Sequence, residues 1–83
     1  MKTEVNMTQL VKERITPWVL FLEDGVEFTA AEAQDAANRI DHGPRVRVPI
    51  EPIRRILDWL IDEGFLQKNL IGRRVTYTRV KYE

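Results

Sequence analysis

Ile53-Arg54-Arg55-Ile56-Leu57-Asp58-Trp59-Leu60-Ile61-Asp62-Glu63-Gly64-Phe65-Leu66 carries the decisive pattern of this chain. Ile53, Ile56, Leu57, Leu60 and Ile61 recur at the i, i+3, i+4, i+7, i+8 spacing that lines one face of an α-helix. Arg54, Arg55, Asp58 and Asp62 fall on the other side, so one face packs and the other is free to touch a partner. Gly64 supplies the left-handed residue that stops such a helix. Phe65-Leu66-Gln67-Lys68 then reads as a strand, residues 69–72 as a turn, and residues 73–80 as an antiparallel return strand with Val75 and Tyr77 on one face. The turn carries a basic tip.

Upstream, Arg45-Val46-Arg47-Val48-Pro49-Ile50-Glu51-Pro52 alternates and contains two prolines, which predicts an extended connector with the helix resuming near Pro52. Before it, Thr29-Ala30-Ala31-Glu32 is a capping box: the Thr side chain and the Glu side chain each take a backbone N–H that a helix start leaves unpaired. The helix that follows presents Ala33, Ala36, Ala37 and Ile40 at helical spacing, small enough for another helix to approach closely, and Asp41-His42-Gly43-Pro44 breaks it. Val26-Glu27-Phe28 reads as a very short strand. Thr16-Pro17, with Thr as N-cap and Pro in the first turn, predicts a helix over 17–23 that is buried on most sides, with Trp18 and Phe21 in the core and Asp24-Gly25 as its end. Residues 7–15 form a separate short helix in this reading, and residues 1–6 are frayed.

The 83 residues suffice for one small core and not for a deep enclosed active site. There is no cysteine, hence no disulfide framework and no thiolate zinc site, and no apolar run reaches the ~18 to 20 residues that span a bilayer. A cytoplasmic protein is the expectation. The formal net charge is zero, but residues 1–42 hold four basic and eight acidic side chains and residues 43–83 hold nine and five, so the halves stand at −4 and +4. This polarity predicts an electropositive functional face on the C-terminal half.

The order of helix, short strand, helix, helix, strand, strand, with Leu57, Leu60, Gly64, Phe65, Leu66, Gly72, Arg73, Arg74 and Tyr77 in sequence, resembles the winged helix-turn-helix superfamily. The resemblance implies an α+β fold: a three-helix core with a C-terminal β-hairpin wing, here with a short extra N-terminal helix. The domain would span residues 16–83, preceded by a segment at 1–15. It also implies double-stranded DNA as partner and a transcriptional regulator as role, with the third helix in the major groove and the wing on the phosphate backbone. On that basis Arg54 and Arg55 are candidates for base contacts, since the guanidinium fork can donate two hydrogen bonds to guanine. Lys68, Arg73 and Arg74, with Arg79 on the return strand, are candidates for phosphate neutralisation. Arg45 and Arg47 add backbone contacts from the connector, and Thr29 with the N–H groups opening the second helix is a candidate phosphate site. The chain departs from the family at Val48-Pro49-Ile50-Glu51-Pro52, where members commonly carry small polar residues, and Glu51 opposes phosphate if it faces DNA.

Other readings stand beside these. Arg54 and Arg55 also fit a solvated face paired with Asp58 and Asp62. Trp59, off the apolar stripe, is either a partner contact or packed under the wing or against the N-terminal segment. Met7, Leu10 and Val11 either form an exposed strip suited to a homodimer or fold back on the domain. A rival function is a protein-interaction module of the same fold that never touches DNA, docking through Trp59, the acidic first half or the N-terminal segment. His42 is the only histidine, and Asp41 with His42 falls short of a metal site's three or four ligands. No phosphate loop, nucleophile–base arrangement or cofactor motif is present, and Glu23-Asp24 and Asp62-Glu63 read as exposed helix-terminal pairs. The expectation is a binding protein, not an enzyme, with no small-molecule ligand.

Overall fold

Three helices and a three-stranded antiparallel sheet follow one another as α1 (Met7–Phe21), β1 (Glu27–Phe28), α2 (Ala30–Arg39), α3 (Ile50–Asp62), β2 (Leu66–Ile71) and β3 (Arg74–Arg79). The structure is a computed structural model and describes residues 6–40 and 43–81. β3 lies between β1 and β2, so the short strand before α2 joins the hairpin into one sheet. This helix-plus-wing arrangement is consistent with a winged-helix-like fold.

α3 buries Ile53, Ile56, Leu57 and Leu60 and exposes Arg54, Arg55, Asp58 and Asp62, as its periodicity requires. It begins at Ile50, two residues before Pro52. The first four N–H groups of a helix have no partner within it, so a proline at the third position sacrifices nothing. Its end is a Schellman motif: Gly64, at φ 89°, donates to the Ile61 carbonyl at 3.0 Å, and Phe65 donates to the Leu60 carbonyl at 2.9 Å. Only glycine adopts that φ without strain, so the helix stops where the hairpin must start.

The capping box of α2 is complete: Thr29 Oγ1 accepts from the Glu32 N–H at 3.2 Å and Glu32 Oε1 accepts from the Thr29 N–H at 3.1 Å. Ala33 and Ala37 are fully buried against neighbouring helices. Thr29→Ala is expected to destabilise the fold by about 1 kcal/mol, measured as a lower urea midpoint with unchanged m-value.

The N-terminal half departs from the expected two helices. α1 is continuous from Met7 to Phe21 with Pro17 inside it, and there is no fourth helix among the described residues. Asn6, expected to fray, is its N-cap and accepts from the Gln9 N–H at 3.1 Å. Thr16 is no N-cap; its Oγ1 is buried without a hydrogen-bond partner. A proline reads the same locally whether it opens a helix or sits within one. Here the buried stripe Leu10, Val11, Arg14, Ile15 and Val19 runs through both segments and packs α1 against α3, which holds the helix together across Pro17. The same stripe turns Leu20 and Phe21 outward: Phe21 is 87% exposed, not core, and the helix is not buried on most sides. Trp18 is half-buried, its ring edge-on to Phe28 at 5.0 Å. Leu10 and Val11 are buried and Met7 packs on the core, so this strip folds back on the domain.

The hairpin turns more tightly than expected. Ile71 pairs with Arg74, leaving Gly72 and Arg73 as a two-residue loop with Gly72 at φ 62°. Glycine at the first loop position and an ordinary residue at the second is what a type II′ hairpin turn requires. The connector is pinned by α2: the Val48 N–H donates to Asn38 Oδ1 at 2.8 Å, and Gln34 Nε2 donates to the Val48 carbonyl at 3.1 Å. Val46 and Val48 turn inward and Arg45 and Arg47 outward, the period-2 alternation of extended backbone.

Candidate nucleic-acid interface

The exposed side of α3 and the inner face of the hairpin meet in a cleft of about 210 Å³ lined by Ala30, Arg54, Asp58, Lys68, Val75 and Tyr77. Strand alternation places Lys68 there: it pairs with Tyr77, whose ring stacks on Phe28 at 5.8 Å and anchors the sheet to the core. Burial pushes the Tyr77 phenol above its ordinary pKa, the Asp58 carboxylate adds to the rise and the Arg54 guanidinium opposes it. Arg54 and Lys68 therefore share one cleft, with the Asp58 carboxylate in the same lining. Arg54 also pairs with Glu51 at 3.5 Å, but both side chains are more than half exposed, so the pair is weak and opens readily. Arg55 is exposed beside Arg54 on α3, and Arg73 and Arg74 are exposed at the free end of the hairpin.

Arg45 and Arg47 are brought together elsewhere, in a cleft of about 320 Å³ lined by Arg14, Asn38, Arg39, Ile40, Arg45, Val46 and Arg47. Arg39 is a basic neighbour that the sequence reading missed; it is tied to Asp35 at 2.6 Å one turn earlier. Arg14, on the contact side of α1 and not among the candidate site residues, lines the same cleft. It is 4% exposed and donates to the carbonyls of Pro44 at 2.7 Å, Ala37 at 3.2 Å and Val46 at 3.4 Å, so α1 holds the start of the connector.

Arg79, expected on the hairpin surface, is buried. It donates through Nε to the Val19 carbonyl at 3.1 Å, and through its terminal nitrogen to the Phe65 carbonyl at 3.1 Å and to the Val80 carbonyl. The inward position of strand alternation, not its charge, decides where this arginine goes. Thr29 spends both its hydroxyl and its N–H on Glu32, whose carboxylate occupies the positive end of α2. Trp59 is half-buried and lies against the N-terminal helix, with Lys12 Nζ 4.3 Å from its ring centroid.

Among the described residues no cluster of three or more His, Cys, Asp or Glu has the placement to hold a metal ion, and no helix is long and apolar enough to cross a membrane. The expectations for residues 1–5 and for Asp41 and His42 lie outside the described residues. Compared with known proteins, the chain matches no family model, no curated protein and no solved structure.

Proposed function

We propose that the chain is a winged helix-turn-helix protein that binds double-stranded DNA, with α3 in the major groove and the hairpin on the phosphate backbone. The observation that carries this reading is the convergence of Arg54 and Lys68 on one cleft between helix and hairpin. Arg55 lies on the same exposed side of α3, and Arg73 and Arg74 stand at the end of the same hairpin. Five cations spread over a helix and an adjoining ribbon fit a polyanion better than a compact anion, because a duplex offers a charge every ~1.7 Å along its axis. Arg45 and Arg47 form a second, separate basic cleft on the connector. A role in regulating transcription, and binding as a homodimer to a two-fold site, go with this reading.

Salt dependence tests it. In fluorescence-anisotropy titrations of a labelled duplex, affinity is expected to fall on the order of 100-fold or more between 50 and 200 mM salt, as for four or more phosphates neutralised. Absence of binding at low ionic strength overturns the reading.

A second reading rests on a different surface. Thr16, Pro17, Leu20 and Phe21 line an exposed cleft of about 270 Å³ on α1, and an aromatic side chain left 87% exposed suits docking to a protein. It gains if duplex binding fails.

A further inference from the structure

We propose that the hairpin tip is an apolar wedge that enters the minor groove and unstacks a base step, so that the protein bends the duplex it binds. The inference rests on the DNA reading above and specifies how the hairpin would engage.

Leu70 and Ile71, at the tip of the hairpin, are 70% and 68% exposed, whereas the other leucines and isoleucines among the described residues are mostly buried. As neighbours on β2 they point to opposite faces of the ribbon, so neither face of the tip is polar throughout. Phosphate neutralisation needs only the arginines. Two large exposed aliphatic groups beside a sheet edge carry an aggregation cost with no return from neutralisation alone. Their setting indicates what covers them. Ile71 lies directly opposite Arg74, and Gly72-Arg73 closes the turn between them, so each aliphatic group has guanidinium neighbours within a few residues. The other exposed apolar pair, Leu20 and Phe21, is followed by Glu23 and Asp24 and has no such neighbours in sequence.

Apolar side chains flanked by arginine are what an unstacked minor-groove step accepts: the aliphatic group takes the place of the neighbouring base in the stack and the guanidinium reads the negative potential of the groove. Dimensions agree. Beyond the Lys68–Tyr77 pair, where the sheet is anchored, three further residues of β2 reach the turn. At ~3.3 Å per residue the tip projects roughly 10 Å, enough to enter a groove about 7.5 Å deep. The strands lie ~4.8 Å apart in a groove about 6 Å wide, so a ribbon with side chains fits only if the groove opens, which a kink provides.

The experiment uses the full chain and a ~30 bp duplex with donor and acceptor dyes at its ends, together with a second duplex carrying 2-aminopurine as a reporter of unstacking. Wild-type protein is expected to raise energy transfer, as for a bend within the 20–90° range of wedge-inserting proteins, and to raise 2-aminopurine fluorescence. It should prefer a duplex with one mismatch by about tenfold, because unstacking costs less there. Leu70→Ser/Ile71→Ser, at exposed positions, is expected to keep its melting temperature and its salt-dependent binding while losing the bend, the fluorescence rise and the mismatch preference. Binding without bending, or equal bending by the double variant, overturns the wedge and leaves the DNA reading intact. Failure of wild type to bind any duplex overturns both. If the double variant turns a dimer into a monomer in sedimentation while bending is unchanged, the tip is a self-association patch and the wedge is overturned.

Discussion

Arg79→Ala is expected to lower the free energy of unfolding by about 3 kcal/mol, a large effect for a residue that reads in sequence as one more surface cation. The side chain is 6% exposed and its guanidinium serves three carbonyls, of Val19 in the last turns of α1, of Phe65 just after the glycine stop, and of Val80 beyond β3. It also lies 5.7 Å from the centre of the Phe65 ring. One planar cation thus joins the first helix to both ends of the hairpin. The loss stays below the full cost of three orphaned acceptors, because the Val19 carbonyl still accepts from the Leu22 N–H and the Phe65 carbonyl from the Val80 N–H. What remains is the charged hydrogen bonds, worth ~1.5 to 3 kcal/mol each before compensation, and a cavity. Arg79→Met, which keeps much of the aliphatic volume and removes the donors, should recover only the cavity part. Urea denaturation followed by circular dichroism reads both variants as a shift in midpoint at constant m. In a domain of this size the alanine variant should melt roughly 12–24 °C lower. A loss under about 1 kcal/mol would mean that water replaces the guanidinium at these carbonyls.

The contrast between Arg79 and Arg54 shows what a sequence can tell about its own fold. α3, its glycine stop and the capping box of α2 were legible because each is written in residues within one or two turns of one another. Whether an arginine is buried depends instead on what lies across the core: Arg79 alternates inward on β3 toward α1, sixty residues away in the chain. What Arg14 holds is equally remote: its carbonyl partners among the described residues lie twenty-three to thirty-two residues away. Phe21 failed for another reason. Trp18-Val19-Leu20-Phe21-Leu22 is apolar at every position, so it has no period to say which face is inward, and the answer comes only from the register set by Leu10, Val11 and Ile15. Within the candidate site, the exposed positions of Arg54 and Lys68 follow singly, one from helical and one from strand period, but their sharing a cleft required the fold. Gln34 and Asn38, which hold the connector through Val48, had no signal at all beyond lying on α2 one turn apart.

The second large effect separates reading from holding on. Arg73→Ala/Arg74→Ala is expected to weaken binding to every duplex alike and to reduce the slope of log affinity against log salt by about 1.8, that is ~0.9 for each phosphate no longer neutralised. Arg54→Ala/Arg55→Ala is expected to act differently. It should cost a preferred sequence, selected from a random pool, about 1 to 3 kcal/mol for each bidentate guanine contact, and cost an arbitrary sequence much less. All four side chains are exposed and none holds the core, so melting temperatures should shift little in either variant. The Arg54 partner Glu51 does not stand in the way, because an ion pair this exposed is worth under about 1 kcal/mol and a base edge offers a better-matched acceptor set. Asp58 has the stronger consequence. Its carboxylate lines the same cleft as Arg54 and Lys68 and opposes a phosphate placed there, so that cleft favours the edge of a base over the backbone. Base readout by α3 and phosphate neutralisation by the hairpin arginines would then be divided by charge: mixed signs in the cleft, and arginine as the only charged residue at the tip. If the two double variants lose affinity equally on all sequences and with the same change in salt slope, that division does not exist and α3 is only another backbone contact.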